Sequence, residues 1–557
     1  ASCAREMLQR GDWVVPWFNG EMFPDKPPLM FWNMMAGFAL FGQTEFAARF
    51  ASAVLGVATA LLVFHLGKTL FNDRAGFWAG LATASSIIFT VSARAATVDT
   101  ALTFVITLAL AAFVWGMRRR TGSMLDEDGP IPWPWALLIY AATGISVLGK
   151  GPVGAIMPLG VIGMFLLVQQ YLRSDAAARP KHASSWLDRA KAVLTTLVGL
   201  FSPKNFAIAI WRMRPFTAVV VLAAVIAPWT ILVYQRTDGA WIHDFLWKYN
   251  LGPSVKPILG HTGPFFYHII SIMIGFFPWA VFLTPMFIHL FRRFRAGAEH
   301  RDGYVLLACW IGVIVGLWSA VAMKLPHYVL PAYPALALLL GGMIATWLET
   351  EYPRARYWMR NAMVTNIVIG LLMAVGFPIA AWFFLPGEWW LGMIGVILII
   401  GGAVCLRWSN RGELARAFGA YAVMSVVFLT AIFGFATMRI ALYRNAPSMT
   451  AQLREMHRDG VDLVSFRFLR QGFVFYGGKP VPKTHHPWNL RQTVEASKRP
   501  YVLTLDEHVS ALENAYPGRF ETVLEQKRFL ESGKVVILRP KKPAARTAAT
   551  ESSKVKR

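Results

Sequence analysis

Apolar segments long enough to cross a membrane recur along most of this chain, separated by short polar connections. They cover residues 46–70, 75–93, 100–117, 135–148, 152–171, 216–234, 265–290, 304–323, 332–347, 362–385, 390–406 and 418–440. A membrane-spanning helix needs about 20 mostly apolar residues, so the pattern predicts a polytopic protein with about twelve spans. The expected fold class is mainly α, a bundle of transmembrane helices.

Basic residues are concentrated in alternate connections between these segments, at 118–120, 292–295 and 354–360. Since Lys and Arg accumulate in cytoplasmic loops, these connections predict the cytoplasmic face of the cell inner membrane. Asp25, Lys26, Asp99 and Lys150 then fall on the extracytoplasmic face. The longest inside connection, 172–214, mixes basic and apolar residues and predicts an amphipathic segment at the membrane surface.

The composition changes after residue 442 to that of a soluble domain. Helical spacing at 449–458 and 506–515 alternates with strand-like runs at 463–468, 473–476, 501–505 and 535–538. We therefore expect an outer loop with interfacial helices at 1–45, a membrane domain at 46–442, an extracytoplasmic α/β domain at 443–540 and a disordered basic tail at 541–557. The first residues, ASCAREML, resemble the middle of an amphipathic helix without a signal peptide, so we expect a fragment that lacks its N-terminus.

Composition narrows the function classes. Soluble proteins carry roughly 25% charged residues, whereas this chain has 15% charged and 55% hydrophobic residues. Its net charge of +24 is distributed over short loops rather than along one continuous face, which argues against nucleic-acid binding. The three cysteines are far apart and form neither a disulfide framework nor a zinc spacing.

The stretch 20–32, GEMFPDKPPLMFW, is the most informative polar segment. Asp25 and Lys26 are costly in hydrocarbon, so the stretch should lie at a membrane surface, where Pro27 and Pro28 stiffen the loop. An ordinary charged turn before an interfacial helix is the simpler interpretation. The spans themselves hold few ionisable residues, unlike a transporter with its site at the midplane, so the polar residues on one face indicate an outer cavity.

A series of motifs follows in order between residues 5 and 348: NGEMFPDKPPLMFW, EFAARFASAVLG, ARAATVDTALTF, LGKGPVGAIMPLG, HTGPFFYH, FFPW and MKLPHYVLPAYPAL. Together they resemble the GT-C membrane glycosyltransferases, and more narrowly the family of the protein O-mannosyltransferases and bacterial lipid A aminoarabinose transferases (glycosyltransferase family 39). The resemblance implies that a sugar moves from a polyprenyl-phosphate donor to a lipid A-like lipid, a protein or a glycan. It also implies an outer C-terminal domain.

The resemblance assigns roles to individual residues. Lys26 would contact the carrier phosphate, and Asp99 would be a catalytic acid. Asp25 would be a second catalytic acid, the partner of Lys26, or with His261 the ligand of one divalent metal. The substrate-binding candidates are Lys26, Arg94, Lys150, Lys256, Lys324 and Tyr328.

Ordinary structural roles compete with these assignments. Asp99 would also cap the helix that begins at residue 100. Lys150 and Lys324 would also serve as interfacial anchors, and His261 as a satisfied interfacial histidine.

A further acidic pair, Asp-Glu, which supplies the presumed base in this family, is expected upstream of Ala1.

Two other functions remain open from the sequence. A lipid-carrier flippase or transporter would use the same ring of charges as an entry gate, and a non-catalytic relative would bind cell-envelope glycans. Product formation in detergent separates them, because only a transferase makes glycosylated acceptor without a sealed compartment.

Overall fold

The computed structural model describes residues 1–174, 185–255, 261–295, 300–350, 352–457 and 460–541. Within these ranges, nine helices are long and apolar enough to cross a membrane: Glu45–Leu70, Asp99–Arg119, Pro152–Arg173, Pro215–Arg236, Arg301–Ala320, Pro326–Glu349, Ala355–Phe384, Trp389–Asn410 and Leu414–Ala441. Two bent pairs of helices bring the number to 11 if each pair is one span. The mainly helical membrane fold predicted from the sequence is confirmed. Lys256 and the tail from residue 542 lie outside the described residues.

The two ends of the bundle differ in charge. The helix Asp99–Thr121 carries Asp99 at one end and Arg118 at the other, about 30 Å apart at 1.5 Å per residue. Arg118 makes a buried ion pair with Asp302 at 2.9 Å, at the start of the helix Arg301–Ala320. We call this the basic end of the bundle, and the end that carries Asp99 the site end.

The helix Trp133–Lys150 has 18 residues and is not among the candidate spans by composition. It nevertheless connects the two ends, since Trp133 contacts the Arg214 guanidinium at the basic end and Lys150 contacts Asp99 at the site end. Arg5 donates to the carbonyl of Val474 at 2.7 Å, which places the N-terminal and C-terminal parts on the same side. A chain whose two ends lie on the same side must cross the membrane an even number of times. With Trp133–Lys150 added to the eleven candidate spans, the number of crossings is about twelve.

Both bent spans break at the same place in the bundle. Asp73–Ala84 and Ile87–Arg94 meet at 61°, and Tyr267–Gly275 and Trp279–Phe294 meet at 117°. The Ile87 amide donates to the Phe277 carbonyl at 3.1 Å, and Trp279 Nε1 donates to Ser85 Oγ at 2.9 Å. Broken backbone inside a membrane must find protein partners, and here each break supplies them to the other. The sequence predicted two continuous spans, because hydropathy does not register such a break.

Shorter elements surround the bundle. At the site end these are the helices Ser2–Arg10 and Leu29–Phe41 with the strand pair Trp17–Phe18 and Glu21–Met22, followed later by Ala240–His243, a π-helix Asp244–Leu251 and Gly252–Val255. At the basic end they are Trp186–Leu200 and Pro203–Arg212. The remaining pieces complete the apolar helices already given: Trp279–Phe282, Leu283–Arg295, Pro326–Ala332, Tyr333–Glu349, Trp389–Gly392, Met393–Asn410, Leu414–Thr430, Ala431–Ala436 and Thr437–Ala441.

Residues after 443 form a small α/β unit with a five-stranded mixed sheet. The strand order is Lys483–Thr484, Asp462–Phe466, Pro500–Leu505, Lys534–Pro540, Phe520–Lys527. The first three strands are parallel to one another, and the last two are antiparallel. The helices Asn445–Met456, Gln471–Gly477, Pro487–Ala496 and Asp506–Ala515 pack beside the sheet.

One prediction in this unit is wrong. Residues 473–476, expected as a strand, lie in the helix Gln471–Gly477, which buries Phe473 and Val474. A run of four apolar residues fits either structure, and burial on one helical face decides it here. Gly478 ends the helix with a φ of 82°, a conformation that glycine adopts without strain.

Candidate active site

The loop with Asp25 and Lys26 lies at the site end, between the strand pair and the helix Leu29–Phe41. The helix begins directly after Pro28. Proline has no amide proton, and the first amides of a helix have no partner within the helix, so proline is well tolerated at this position. Lys26 Nζ lies 3.0 Å from Asp25 Oδ1, and both side chains are about one-third exposed. The loop therefore presents an ion pair that solvent or a substrate can still reach.

Asp99 and Lys150 form a buried ion pair behind this loop. Lys150 Nζ donates to Asp99 Oδ1 at 2.8 Å, and the two side chains are 11% and 10% exposed. The capping explanation for Asp99 does not hold. Val98 is the N-cap of that helix, no side-chain cap is made, and the Asp99 carboxylate binds Lys150 instead. Lys150 also faces the Tyr328 ring, 4.7 Å from its centroid, in cation–π geometry.

His327 is a site residue that the sequence reasoning did not select. Its Nε2 lies 3.9 Å from Asp99 Oδ2, so Asp99 faces Lys150 with one oxygen and His327 with the other. The signal was present in the motif MKLPHYVLP, where His327 directly precedes Tyr328. The sequence alone does not show that this turn lies against Asp99.

A cavity of about 250 Å³ brings four of the predicted residues together: Asp25, Lys26, Lys150 and Tyr328. Its apolar walls come from Val153, Ile156, Phe245, Leu246 and Leu251, and its polar groups include Tyr249 and Asn250. Asn250 is fixed by a 2.7 Å hydrogen bond to the Phe245 carbonyl. Two ammonium groups beside an aliphatic wall suit a ligand that joins an anion to a hydrocarbon chain.

Lys324 is placed differently from its predicted role in substrate binding. The residue is 5% exposed, and its ammonium donates to the carbonyls of Trp318, Ser319 and Val321 at 3.1, 2.6 and 2.6 Å. It thus satisfies the free carbonyls at the end of the helix Arg301–Ala320. Burial lowers the pKa of Lys324 below its ordinary value. In this conformation the side chain is a helix cap.

Arg94 and His261 also lie apart from the four cavity residues. The Arg94 guanidinium is exposed and faces the Phe433 ring at 5.8 Å. His261 is exposed, and its carbonyl accepts the Lys324 amide at 3.0 Å. Neither lines the cavity. Their substrate and metal roles remain predictions.

A metal centre built by the protein alone does not fit the described residues. Within them, no three His, Cys, Asp or Glu side chains come together in a way that could hold a metal ion. Asp25, one of the two predicted ligands, has its carboxylate directed at Lys26. The divalent metal remains a prediction, and no step below depends on it.

The C-terminal unit covers the site end by docking on the first loop. Asn19 and Val481 exchange two hydrogen bonds, of 2.8 and 2.6 Å, and Arg5 donates to the carbonyls of Val474 and Phe475. A second cavity of about 550 Å³ lies between the loop and this unit, and Asp25 lines it as well. Asp25 therefore faces both cavities.

Comparison with known proteins agrees with this geometry. Residues 25–198 match the family described as dolichyl-phosphate-mannose-protein mannosyltransferase. An uncharacterized protein of Aquifex aeolicus is 26% identical over 62% of this chain and 58% of its own length. The undecaprenyl phosphate-alpha-4-amino-4-deoxy-L-arabinose arabinosyl transferase of Pectobacterium atrosepticum is 27% identical over 73% of this chain and 66% of its own length. The chain thus spans about three fifths to two thirds of the first relatives that it matches.

The fold has a solved counterpart. ArnT from Cupriavidus metallidurans, bound to undecaprenyl phosphate, superposes with a TM-score of 0.72 over 99% of this chain and 94% of that protein, at 21% identity. Its apo structure gives a TM-score of 0.70 at 22% identity. Fold, family match and relatives agree with the motifs of the sequence: the chain resembles the GT-C membrane glycosyltransferases, with similarity to the mannosyltransferase family and to the aminoarabinose transferases named above.

Proposed function

We propose that this protein transfers a sugar from a polyprenyl-phosphate donor to an acceptor at the site end of the bundle. The observation that carries the proposal is the 250 Å³ cavity, where Lys26 and Lys150 stand beside aliphatic and aromatic walls. A polyprenyl phosphate has the matching chemistry, because it combines an anionic head with a hydrocarbon chain. The relatives named as undecaprenyl phosphate-aminoarabinose transferases support the same class of donor.

Lys26 and Lys150 would act on the leaving phosphate. When the bond from the anomeric carbon to the phosphate oxygen breaks, its electron pair leaves with the phosphate. Fixed cations stabilise this developing charge more than the charge of the intact donor. Asp99 holds Lys150 in place at 2.8 Å, and Asp25 holds Lys26 at 3.0 Å. Asp99 is then a positioning residue for one of the two cations.

The acceptor would approach from the side of the C-terminal unit. Its oxygen attacks the anomeric carbon opposite the leaving phosphate, so a single displacement inverts the configuration, and the acceptor proton passes to a carboxylate. Asp25 faces both the cationic cavity and the larger outer one, which supports it as the residue that contacts the acceptor hydroxyl. The relatives named as aminoarabinose transferases support a pentosyl donor for this chain. The lipid A-like acceptor rests on the resemblance of the sequence motifs alone.

The membrane orientation follows from the charge of the two ends. Basic side chains at one end, among them Arg118, Arg173 and Arg292, support a cytoplasmic position for that end. The site end and the C-terminal unit would then lie outside the cytoplasmic membrane. A carrier lipid has its phosphate at this interface and its chain in the bilayer, as the cavity requires.

Lys26→Ala tests the proposal. The full chain in detergent is supplied with undecaprenyl-phosphate aminoarabinose and lipid A, and undecaprenyl phosphate binding is measured in parallel. Loss of one preorganised charge partner lowers transfer by about 100-fold or more. Lys68→Ala is the matched control, because Lys68 pairs with the exposed Asp73 at the basic end. Wild-type turnover in Lys26→Ala removes Lys26 from the mechanism.

The same assay distinguishes a transferase from a lipid-carrier flippase or transporter. Product formation in detergent, without a sealed compartment, is the result expected of a transferase. If the wild-type chain binds undecaprenyl phosphate, forms no product with any of several polyprenyl-phosphate sugars and moves lipid across proteoliposomes, the transferase proposal fails.

A further inference from the structure

Two helices at the basic end, Trp186–Leu200 and Pro203–Arg212, have no part in the site and present an apolar face that the described part of the chain does not cover. They precede the helix Pro215–Arg236, which crosses the membrane from the basic end to the site end. Both begin with a serine cap, Ser185 and Ser202, so their starting points are defined by the sequence. We call them the surface helix pair.

The inner face of the surface helix pair is fixed to the bundle. The Arg212 side chain is buried and donates to the carbonyls of Gly129 and Glu127 and to Gln169 Oε1, at 3.1, 2.6 and 2.7 Å. Asn205 joins the two helices through a 2.8 Å bond to the Gly199 carbonyl. A buried guanidinium with three acceptors holds its helix in one orientation. The outward direction of the opposite face is therefore set by the fold.

The outer face carries large apolar side chains at helical spacing. The exposed apolar residues include Leu194, Leu197 and Val198 on the first helix, Phe201 directly after it, and Phe206, Ile210 and Trp211 on the second. Spacing of three and four residues places the first group in one stripe. Thr195 lies about 160° around the helix from Leu197, on the polar side.

The stripe continues the lipid-facing surface of the neighbouring span. In the helix Pro215–Arg236, only 17% of the most apolar stretch of 18 residues is buried inside the protein. Phe216, Val219 and Val220 near its start are 78%, 67% and 67% exposed. Because this span faces lipid, the apolar stripe that leads into it lies at the level where the hydrocarbon begins. Among the residues that the structure describes, none covers either surface.

The charge of the segment selects the kind of lipid. Residues 172–214 contain eight Lys or Arg and two Asp. Lys191 and Lys204 are exposed on the surface helix pair. Lysines beside an apolar stripe can keep their stems in the interface and their ammonium groups at the headgroups. We propose that the surface helix pair lies in the plane of the membrane at the basic end and binds anionic phospholipid headgroups through Lys191 and Lys204.

Depth measurement tests the position. The three cysteines of the chain are buried, so single cysteines introduced at Leu194, Leu197 or Thr195 accept a spin label selectively. In phosphatidylcholine–phosphatidylglycerol nanodiscs, labels in Leu194→Cys and Leu197→Cys are accessible to oxygen and protected from a water-soluble nickel complex. The label in Thr195→Cys, the matched control, shows the reverse. Nickel accessibility at all three positions overturns the proposal, and so does spin–spin broadening between copies, which assigns the stripe to a second copy of the chain.

Lipid selectivity tests the headgroup. Spin-labelled phosphatidylglycerol and spin-labelled phosphatidylcholine compete for the protein surface in the wild type and in a variant with Lys191→Glu and Lys204→Glu. Each basic residue near an anionic surface contributes about fivefold in binding, so the preference for phosphatidylglycerol falls at least fivefold. Lys248→Glu, on the other side of the membrane, is the matched control and leaves the preference unchanged. An unchanged preference in the double variant refutes the anionic lipid site even if the depth result holds.

Discussion

The ion pair of Lys150 with Asp99 is expected to contribute to stability and to catalysis in separable ways. Its atoms lie 2.8 Å apart, and the side chains are only 11% and 10% exposed. At the effective dielectric of about 20 that describes protein sites, the attraction at this distance is about 6 kcal/mol. Desolvation offsets much of it, and removal of one partner leaves a buried charge, which typically costs about 3–5 kcal/mol. Lys150→Met keeps the volume of the side chain and removes the charge.

A double-mutant cycle measures the interaction. The free energy of unfolding is obtained in mixed micelles by denaturing detergent or steric trapping for Lys150→Met, Asp99→Asn and the double variant. We expect each single change to destabilise by about 3 kcal/mol and the double variant to recover at least about 2 kcal/mol of their sum, because it leaves no unpaired charge. Transfer activity stays low in all three, because Lys150→Met removes one cation from the phosphate and Asp99→Asn removes the carboxylate that holds this cation in place. A coupling energy under about 1 kcal/mol, the value of exposed pairs, refutes the buried pair.

Two further predictions concern the first loop. Asn19→Ala removes both hydrogen bonds to the Val481 backbone and should weaken docking of the C-terminal unit by about 1–2 kcal/mol. Weaker docking is measured as faster limited proteolysis after residue 443. An unchanged proteolysis rate contradicts the contact. Asp12 accepts the amides of Val14 and Val15, and although burial alone would raise the pKa of Asp12, these bonds hold it below its ordinary value. This stabilisation is present above about pH 4 and is lost as the pH falls through the lowered pKa. Exchange of the two amides, corrected for intrinsic rate, should therefore accelerate as the pH is lowered below about 4, and constant protection would contradict it.

The apolar pattern predicts most of the membrane fold because burial in lipid acts on every span in the same way. It fails where the backbone breaks: residues 75–93 and 265–290 are each interrupted, at 61° and 117°. The partners that make those breaks tolerable, Ser85 with Trp279 and Ile87 with Phe277, are nearly 200 residues apart in sequence. No local pattern reports such a pairing.

The site is predictable where its residues carry charge next to a rigid turn. Asp25 and Lys26 beside two prolines, and Lys150 at a helix end, meet in one cavity as the motifs indicated. Lys324 has the same residue type in an equally distinctive motif, yet its ammonium is used by the carbonyls of Trp318, Ser319 and Val321. The sequence does not distinguish a lysine directed at a cavity from one directed at a helix end. The position of the preceding helix decides this.

The way the outer unit is attached has an evolutionary consequence. Arg5 and Asn19 of the first loop hold it through main-chain atoms of residues 474, 475 and 481. Main-chain donors and acceptors are the same whatever side chains stand at those positions, so these four hydrogen bonds place little constraint on the identity of the outer unit's residues. Mutation can therefore change the surface of the outer unit above the proposed transfer site, and with it the acceptors that fit there, while these contacts to the membrane bundle persist.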